Sequence, residues 1–256
     1  MKSILVIHNL KSESRNALAY AGELSKKLNA KVVVTYTVPE SRSLSAQHTV
    51  AEDSFSHDET NTHEHNHVAD NIISLSYLDT LGMSIHDLTV KYDIGIIIKG
   101  VSGTARAINE ELKPILHHTC CPVLAVPEDV SFSLRNIGYL ADLRFAKKNI
   151  TCFINQFTSS TNTKAKLFNV AEPGVPHMHD AYAQTVFAQS FGNHNLSLMN
   201  IRERDVTKTS DVLTNIMQVD LFVLSNRSSQ LSAVWEHYDT HAEQPHAHFP
   251  ILIFPC

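Results

Sequence analysis

Cys121-Pro122-Val123-Leu124-Ala125-Val126-Pro127, near the middle of the chain, and Phe249-Pro250-Ile251-Leu252-Ile253-Phe254-Pro255, at its end, share one pattern. Each is a proline, four apolar residues and a second proline, short enough to be a strand and bounded by residues that end one. The second copy begins at 249 and the first at 121, a spacing of 128 positions. Two further pairs keep the same order. Ile94-Gly95-Ile96-Ile97-Ile98-Lys99 matches Val219-Asp220-Leu221-Phe222-Val223-Leu224, and Ile4-Leu5-Val6-Ile7 matches Ile137-Gly138-Tyr139-Leu140. Matched segments at a nearly constant offset are the signature of a repeated domain. The 256 residues divide into two units of about 130, each long enough to bury its own core.

Within each unit, strand and helix signals alternate. Runs rich in Val and Ile predict strands at 3–8, 31–38, 71–77, 94–99 and 122–126. Runs that are apolar on both sides suit central strands of a parallel sheet covered by helices on both faces. Between the first two strands, Ala17, Leu18, Ala21, Leu24, Ser25 and Leu28 fall at three- and four-residue steps, the stripe of an amphipathic helix. Ser12 or Ser14 is suited to cap its start and Asn29 to end it. In the second unit, strands are expected near 136–141, 165–170, 196–201, 219–225 and 250–254. Helices are expected near 144–157, 178–191, 208–218 and 229–243. The predicted fold class is α/β: two tandem doubly wound domains, each with a five-stranded, mainly parallel sheet. The boundary falls near Glu128–Arg135, giving domains 1–130 and 131–256.

Bulk properties exclude several classes. A formal charge of −5 supplies no electrostatic reason to expect nucleic acid or an anionic membrane surface. The apolar run at Met1–Ile7 is too short for a signal peptide, and no stretch approaches the ~20 apolar residues of a membrane span. Cys120, Cys121, Cys152 and Cys256 form neither a CxxC pair nor a disulfide framework, and read as reduced core or chain-end residues of a cytoplasmic protein. No Gly-x-Ser-x-Gly elbow, His-Glu-x-x-His motif or complete phosphate loop is present, so no enzyme class is indicated and no catalytic residue is assigned.

Three segments carry a family likeness. Lys2-Ser3-Ile4-Leu5-Val6-Ile7-His8-Asn9, followed by a serine-started helix with Ala-Leu-x-Tyr-Ala, resembles the opening of a universal stress protein domain. Gly100-Val101-Ser102-Gly103 after the fourth strand resembles the same family, as does the proline-bounded last strand. The resemblance implies a five-stranded parallel sheet and pairing of the two last strands, bringing 122–126 beside 250–254 as an intrachain pseudo-dimer related by a pseudo-two-fold. Homodimers are a further possibility. It also implies an ATP site, with contacts at Asn9, Val38, Gly100 and Gly103 in the first domain and at Asp142 in the second.

The site motifs depart from the family's. Where the family has an acidic residue ending the first strand, domain one has Asn9. Where it has Gly-Ser or Gly-Thr opening the last helix, the alternatives here are Asn109-Glu110 or Lys113-Pro114. The segment Thr104–Ile108 is about four residues short, and Glu110 and Glu111 place negative charge where phosphates would rest. Domain two has Asp142 but replaces the glycine turn with Asn226-Arg227-Ser228-Ser229, a set better suited to capping the following helix. Gly100 and Gly103 thus have two readings: half of a phosphate cradle, or a tight strand-to-helix turn.

Sixteen histidines are the compositional oddity. His57, His63, His65 and His67 crowd one polar segment. On a helix His63 and His67 share a face at i, i+4, and on an extended chain His65 joins them, so a zinc, nickel or copper site is one reading and a solvated surface segment the other. His237 and His241 repeat the i, i+4 spacing at a helix end, where the helix dipole alone accounts for them. The expectation is a stress-associated, non-catalytic protein with a degenerate ATP site, acting on an unknown small molecule or protein partner. The alternatives are ATP binding by domain one, or metal binding at 57–67.

Overall fold

The structure, a computed structural model, describes residues 3–36, 71–191, 196–202, 212–213, 217–240 and 249–255. In the first half, β1 (Ser3–His8) leads through α1 (Ser12–Leu28) to β2 (Lys31–Tyr36). After β3 (Ile72–Leu75) come α2 (Tyr77–Thr80), α3 (Ile85–Lys91), β4 (Ile94–Val101), α4 (Ala105–His117) and β5 (Val123–Pro127). The second half holds β6 (Asn136–Ala141), α5 (Lys148–Thr161), β7 (Lys164–Val170), α6 (Asp180–Phe191), β8 (Ser197–Ile201), β9 (Leu221–Ser225), α7 (Ser229–Thr240) and β10 (Ile251–Phe254).

The ten strands among the described residues join one sheet in the order β3-β2-β1-β4-β5-β10-β9-β6-β7-β8. Every adjacent pair is parallel except β5 and β10, which pair antiparallel with Leu124 opposite Leu252. Read outward from that seam, the two halves have the same strand order. The pairing of the proline-bounded strands is the one the family likeness implied.

Strand alternation divides the apolar side chains between two cores. Ile4, Val6, Ile96 and Ile98 face α1, whose Ala17, Tyr20, Ala21 and Leu24 cover them; in the second half, Ile150, Ile154 and Phe157 of α5 continue this layer. Leu5, Ile7 and Ile97 face the other way, under Leu88 of α3 and Ile108 and Leu112 of α4, and that layer continues into Leu231, Val234 and Trp235 of α7. Both cores therefore run unbroken across the seam. The segment expected to be a boundary is pinned as well: Asn16 Nδ2 donates to the carbonyls of Pro127 (2.7 Å) and Val130 (2.9 Å). Ser133 Oγ and the N–H groups of Arg135 and Asn136 donate to the Asp220 carboxylate.

Several expectations need correction. Lys11, not Ser12 or Ser14, is the N-cap of α1, with no side-chain cap bond; Asn29 does end it, in the left-handed region at φ 50°. The helix placed at 144–157 begins at Lys148, because Asp142–Phe145 forms a turn, with the Phe145 N–H bonded to the Asp142 carbonyl. The third strand is shorter than 71–77, since α2 starts at Tyr77. Cys120 and Cys152 are exposed rather than in the core. Cys121 is half-buried, its Sγ donating to the Ile94 carbonyl at 3.1 Å, and burial raises its pKa. Among the described residues, no helix is long and apolar enough to cross a membrane.

Candidate functional site

Doubly wound sheets hold ligands outside the carboxyl ends of their strands, where the strand order reverses. That point lies between β1 and β4 in the first half and between β6 and β9 in the second. Because β5 and β10 are antiparallel, the two points open at opposite edges of the sheet. They are separate crevices.

In the first, Asn9 follows β1 directly. Its N–H donates to Ser14 Oγ (3.2 Å) and its Nδ2 to Glu13 Oε1 (3.1 Å), while its Oδ1 accepts from the Lys11 N–H (3.1 Å) and from Ser14 Oγ. The carboxamide ties the end of β1 to the first turn of α1. His8, just before it, is buried, and its Nδ1 accepts from the Leu10 N–H at 3.0 Å. Burial first, then the charges of Arg15 and Lys99, hold its imidazole below the ordinary value.

Both glycines of the turn have structural reasons to be glycine. A methyl group on Gly100 would stand 2.1 Å from the Glu13 carbonyl oxygen and 2.8 Å from the Ser14 nitrogen, both backbone atoms of α1. Gly103 has φ 91°, a region that side chains disfavour. Helix α4 then starts almost at once: Thr104 caps it, Oγ1 accepting from the Ala107 N–H at 3.4 Å, and Lys113-Pro114 lies well inside it. The segment short in sequence is thus the cap and first turn of a helix. Glu110, expected to crowd phosphates, instead pairs with Arg106 at 3.1 Å on the exposed side of α4.

Beneath these strand ends, between α2–α3 and α4, lies a cavity of about 410 Å³. Leu5, Ile7, Met83, Ile85, Leu88 and Ile115 form apolar walls; Asn9, Thr35, Thr80, Lys99 and Glu111 supply polar atoms. Lys99 is the residue that sequence reasoning passed over. Its side chain is 7% exposed, and its Nζ donates to the Gly100 carbonyl (2.8 Å) and pairs with Glu111 Oε2 (3.1 Å). The available signal was a single charge inside the otherwise apolar run Ile94–Val101. A smaller hollow of about 200 Å³ adjoins the glycine turn at Ser102 and Gly103, and Glu128 and Asp129 line it.

In the second crevice the described side chains bond to one another. Asp142, its carboxylate wholly buried, accepts from the N–H and Nε of Arg144 at Oδ1 (3.0 and 2.7 Å). Its Oδ2 takes Arg144 Nη2 and the Glu172 N–H (3.0 Å). Burial works to raise its pKa, but these hydrogen bonds and the Arg144 charge prevail and hold it below the usual carboxylate value. Arg144 Nη1 reaches on to the Pro176 carbonyl at 3.0 Å. Across the crevice, Ser228 caps α7, its Oγ accepting from the Gln230 N–H, and Ser228 and Ser229 both donate to the Glu172 carboxylate. Gln230, itself buried, donates from Nε2 to the Val170 carbonyl at 2.7 Å.

Of the residues proposed for the nucleotide, the structure brings Asn9 and Gly100 together at one end of the sheet with Gly103 close by, and leaves Asp142 at the other; Val38 lies outside the described residues. So do His57, His63, His65 and His67. Among the described residues, no group of three or more His, Cys, Asp or Glu is placed to hold a metal ion.

No family model and no curated protein matches the chain. Solved structures do. A universal stress protein from Archaeoglobus fulgidus DSM 4304 superposes with a TM-score of 0.59 at 12% identity, covering 98% of this chain and 97% of that one. A functionally unknown protein from Pseudomonas aeruginosa PAO1 gives 0.55 at 10% identity, with 99% and 92% covered. A candidate universal stress protein from Pseudomonas aeruginosa UCBPP-PA14 gives 0.56 at 10%, with 99% and 93% covered. The fold is therefore that of universal stress proteins, over essentially the whole length of the chain.

Proposed function

We propose that the chain is a non-catalytic, cytoplasmic stress-response protein built from two copies of one domain, 1–130 and 131–256, related by a pseudo-two-fold through the β5–β10 seam. It acts by binding a small molecule or partner, and its ATP sites are degenerate. The palindromic strand order supports the duplication. One observation carries the reading of the sites: the residues standing at nucleotide positions are consumed by the protein itself. Gly100 is pressed on the Glu13 backbone, the Asn9 carboxamide is bonded on both its atoms, and Asp142 is locked by Arg144. The hollow beside Gly103 adds carboxylates where a polyphosphate needs donors.

ATP binding by the first domain is the second reading, favoured by the 410 Å³ cavity at its strand-order reversal. Calorimetry with magnesium-ATP separates the two. The degenerate-site reading expects no affinity tighter than about 1 mM, whereas micromolar affinity transfers the function to the nucleotide.

A further inference from the structure

We propose that the cavity beneath β1 and β4 binds a small apolar molecule carrying a single carboxylate, with Lys99 as the residue that receives it. This rests on the reading that the crevice is not a nucleotide site, and names what occupies it instead. Its volume of about 410 Å³ falls within the range of small-molecule pockets, roughly 300–1,000 Å³. The walls made by Leu5, Ile7, Leu88 and Ile115 gain from an apolar body. The polar end decides the headgroup.

A lysine ammonium in an apolar cavity requires a counter-charge. Lys99 has one in Glu111, at 3.1 Å, longer than the roughly 2.7–2.9 Å of a tight charge-assisted bond. The two partners are placed differently. Lys99 is 7% exposed on a central strand and has nowhere else to go; Glu111 is 40% exposed on α4 and can turn its carboxylate to water. The Gly100 carbonyl and Glu111 take two of the three donors an ammonium offers. An incoming carboxylate takes Glu111's place as the buried counter-ion while its apolar body fills the cavity. Glu111 at the site, with Glu128 and Asp129 at the neighbouring hollow, disfavours a polyanion and leaves a single negative charge as the matching head.

Glu111 and the ligand then compete for one ammonium, which sets the signs of the test. Decanoate and its uncharged counterpart decanol are titrated calorimetrically into the full-length protein and into its Lys99→Met and Glu111→Gln variants. Decanoate is expected to bind about tenfold or more tightly than decanol, the factor one charge-assisted hydrogen bond to a buried cation carries. Lys99→Met removes that preference, bringing decanoate and decanol to similar affinities. Glu111→Gln strengthens decanoate alone, because the competitor is gone. Far-UV circular dichroism and melting curves verify that both variants fold; should Lys99→Met fail to fold, the Glu111→Gln result decides alone. Equal binding of the two ligands, no binding of either, or no gain with Glu111→Gln overturns the proposal. Micromolar ATP affinity overturns the degenerate-site reading instead, so the two failures are distinguishable.

Discussion

Asp142 sits at the end of β6, where the family likeness places a nucleotide contact, yet its four acceptor bonds all come from this chain: three from Arg144 and one from the Glu172 N–H. Its folded pKa lies below the ordinary 3.8. A depressed carboxylate contributes stability that is fully present above the unfolded value and is lost as pH falls through the folded one. Asp142→Asn is therefore expected to cost about 2–3 kcal/mol at pH 7, the worth of hydrogen bonds to a charged group with Arg144 left unpaired. The difference from wild type should shrink as pH drops below about 4. Urea unfolding of both proteins at pH 7 and in the acid range measures it. A difference independent of pH means that side-chain shape, not charge, holds the turn.

At the scale of elements, the contact between α1 and β4 organises the first crevice. Helix α1 starts so close to Gly100 that its own backbone occupies the space a side chain needs. Gly100→Ala should destabilise the protein by about 1–3 kcal/mol, the usual cost of overpacking, because the carbonyl it meets cannot rotate away. Gly103→Ala, where strain comes from φ 91° and no backbone atom crowds the new methyl, should cost about 1 kcal/mol. Denaturant midpoints of the two variants order them; a larger loss at Gly103 contradicts the packing argument. The two changes also bear on the glycines' role: neither is predicted to alter any affinity for ATP. In α4 both the start, expected at 109–110 or 113–114 and found at Ala105, and the placing of the acidic residues differ from expectation. Its Glu110 faces outward to Arg106, while Glu111, one residue on and so rotated about 100° around the helix, meets Lys99.

At the scale of the whole molecule, the seam joins the two halves into shared cores. Both hydrophobic layers cross it, α1 contacting α5 on one face and α4 contacting α7 on the other. Residues 1–130 alone would leave β5 as an open sheet edge, its backbone pairing with β10 lost. That half is expected to self-associate, with light scattering after gel filtration showing a dimer or larger species; a stable monomer refutes the shared core. The strands and the repeated order of segments were legible in sequence because they depend on local patterns, apolar runs and prolines that bound a strand, whereas the β5–β10 seam was expected only from the family likeness. The pairing partner of each strand and the crevice chemistry were not legible. Whether Gly100 faces a ligand or Glu13, whether Asn9 and Asp142 are free or bonded, and whether Lys99 is solvated or walled into a cavity depend on contacts between residues distant in the chain. Local patterning in the chain was thus enough for an alternating α/β architecture with a repeated order of apolar segments. The close approach of Gly100 to the Glu13 backbone, the internal hydrogen bonds of Asn9 and Asp142, and the buried lysine lining the cavity emerged only on folding, since close approach and burial are properties of assembled elements.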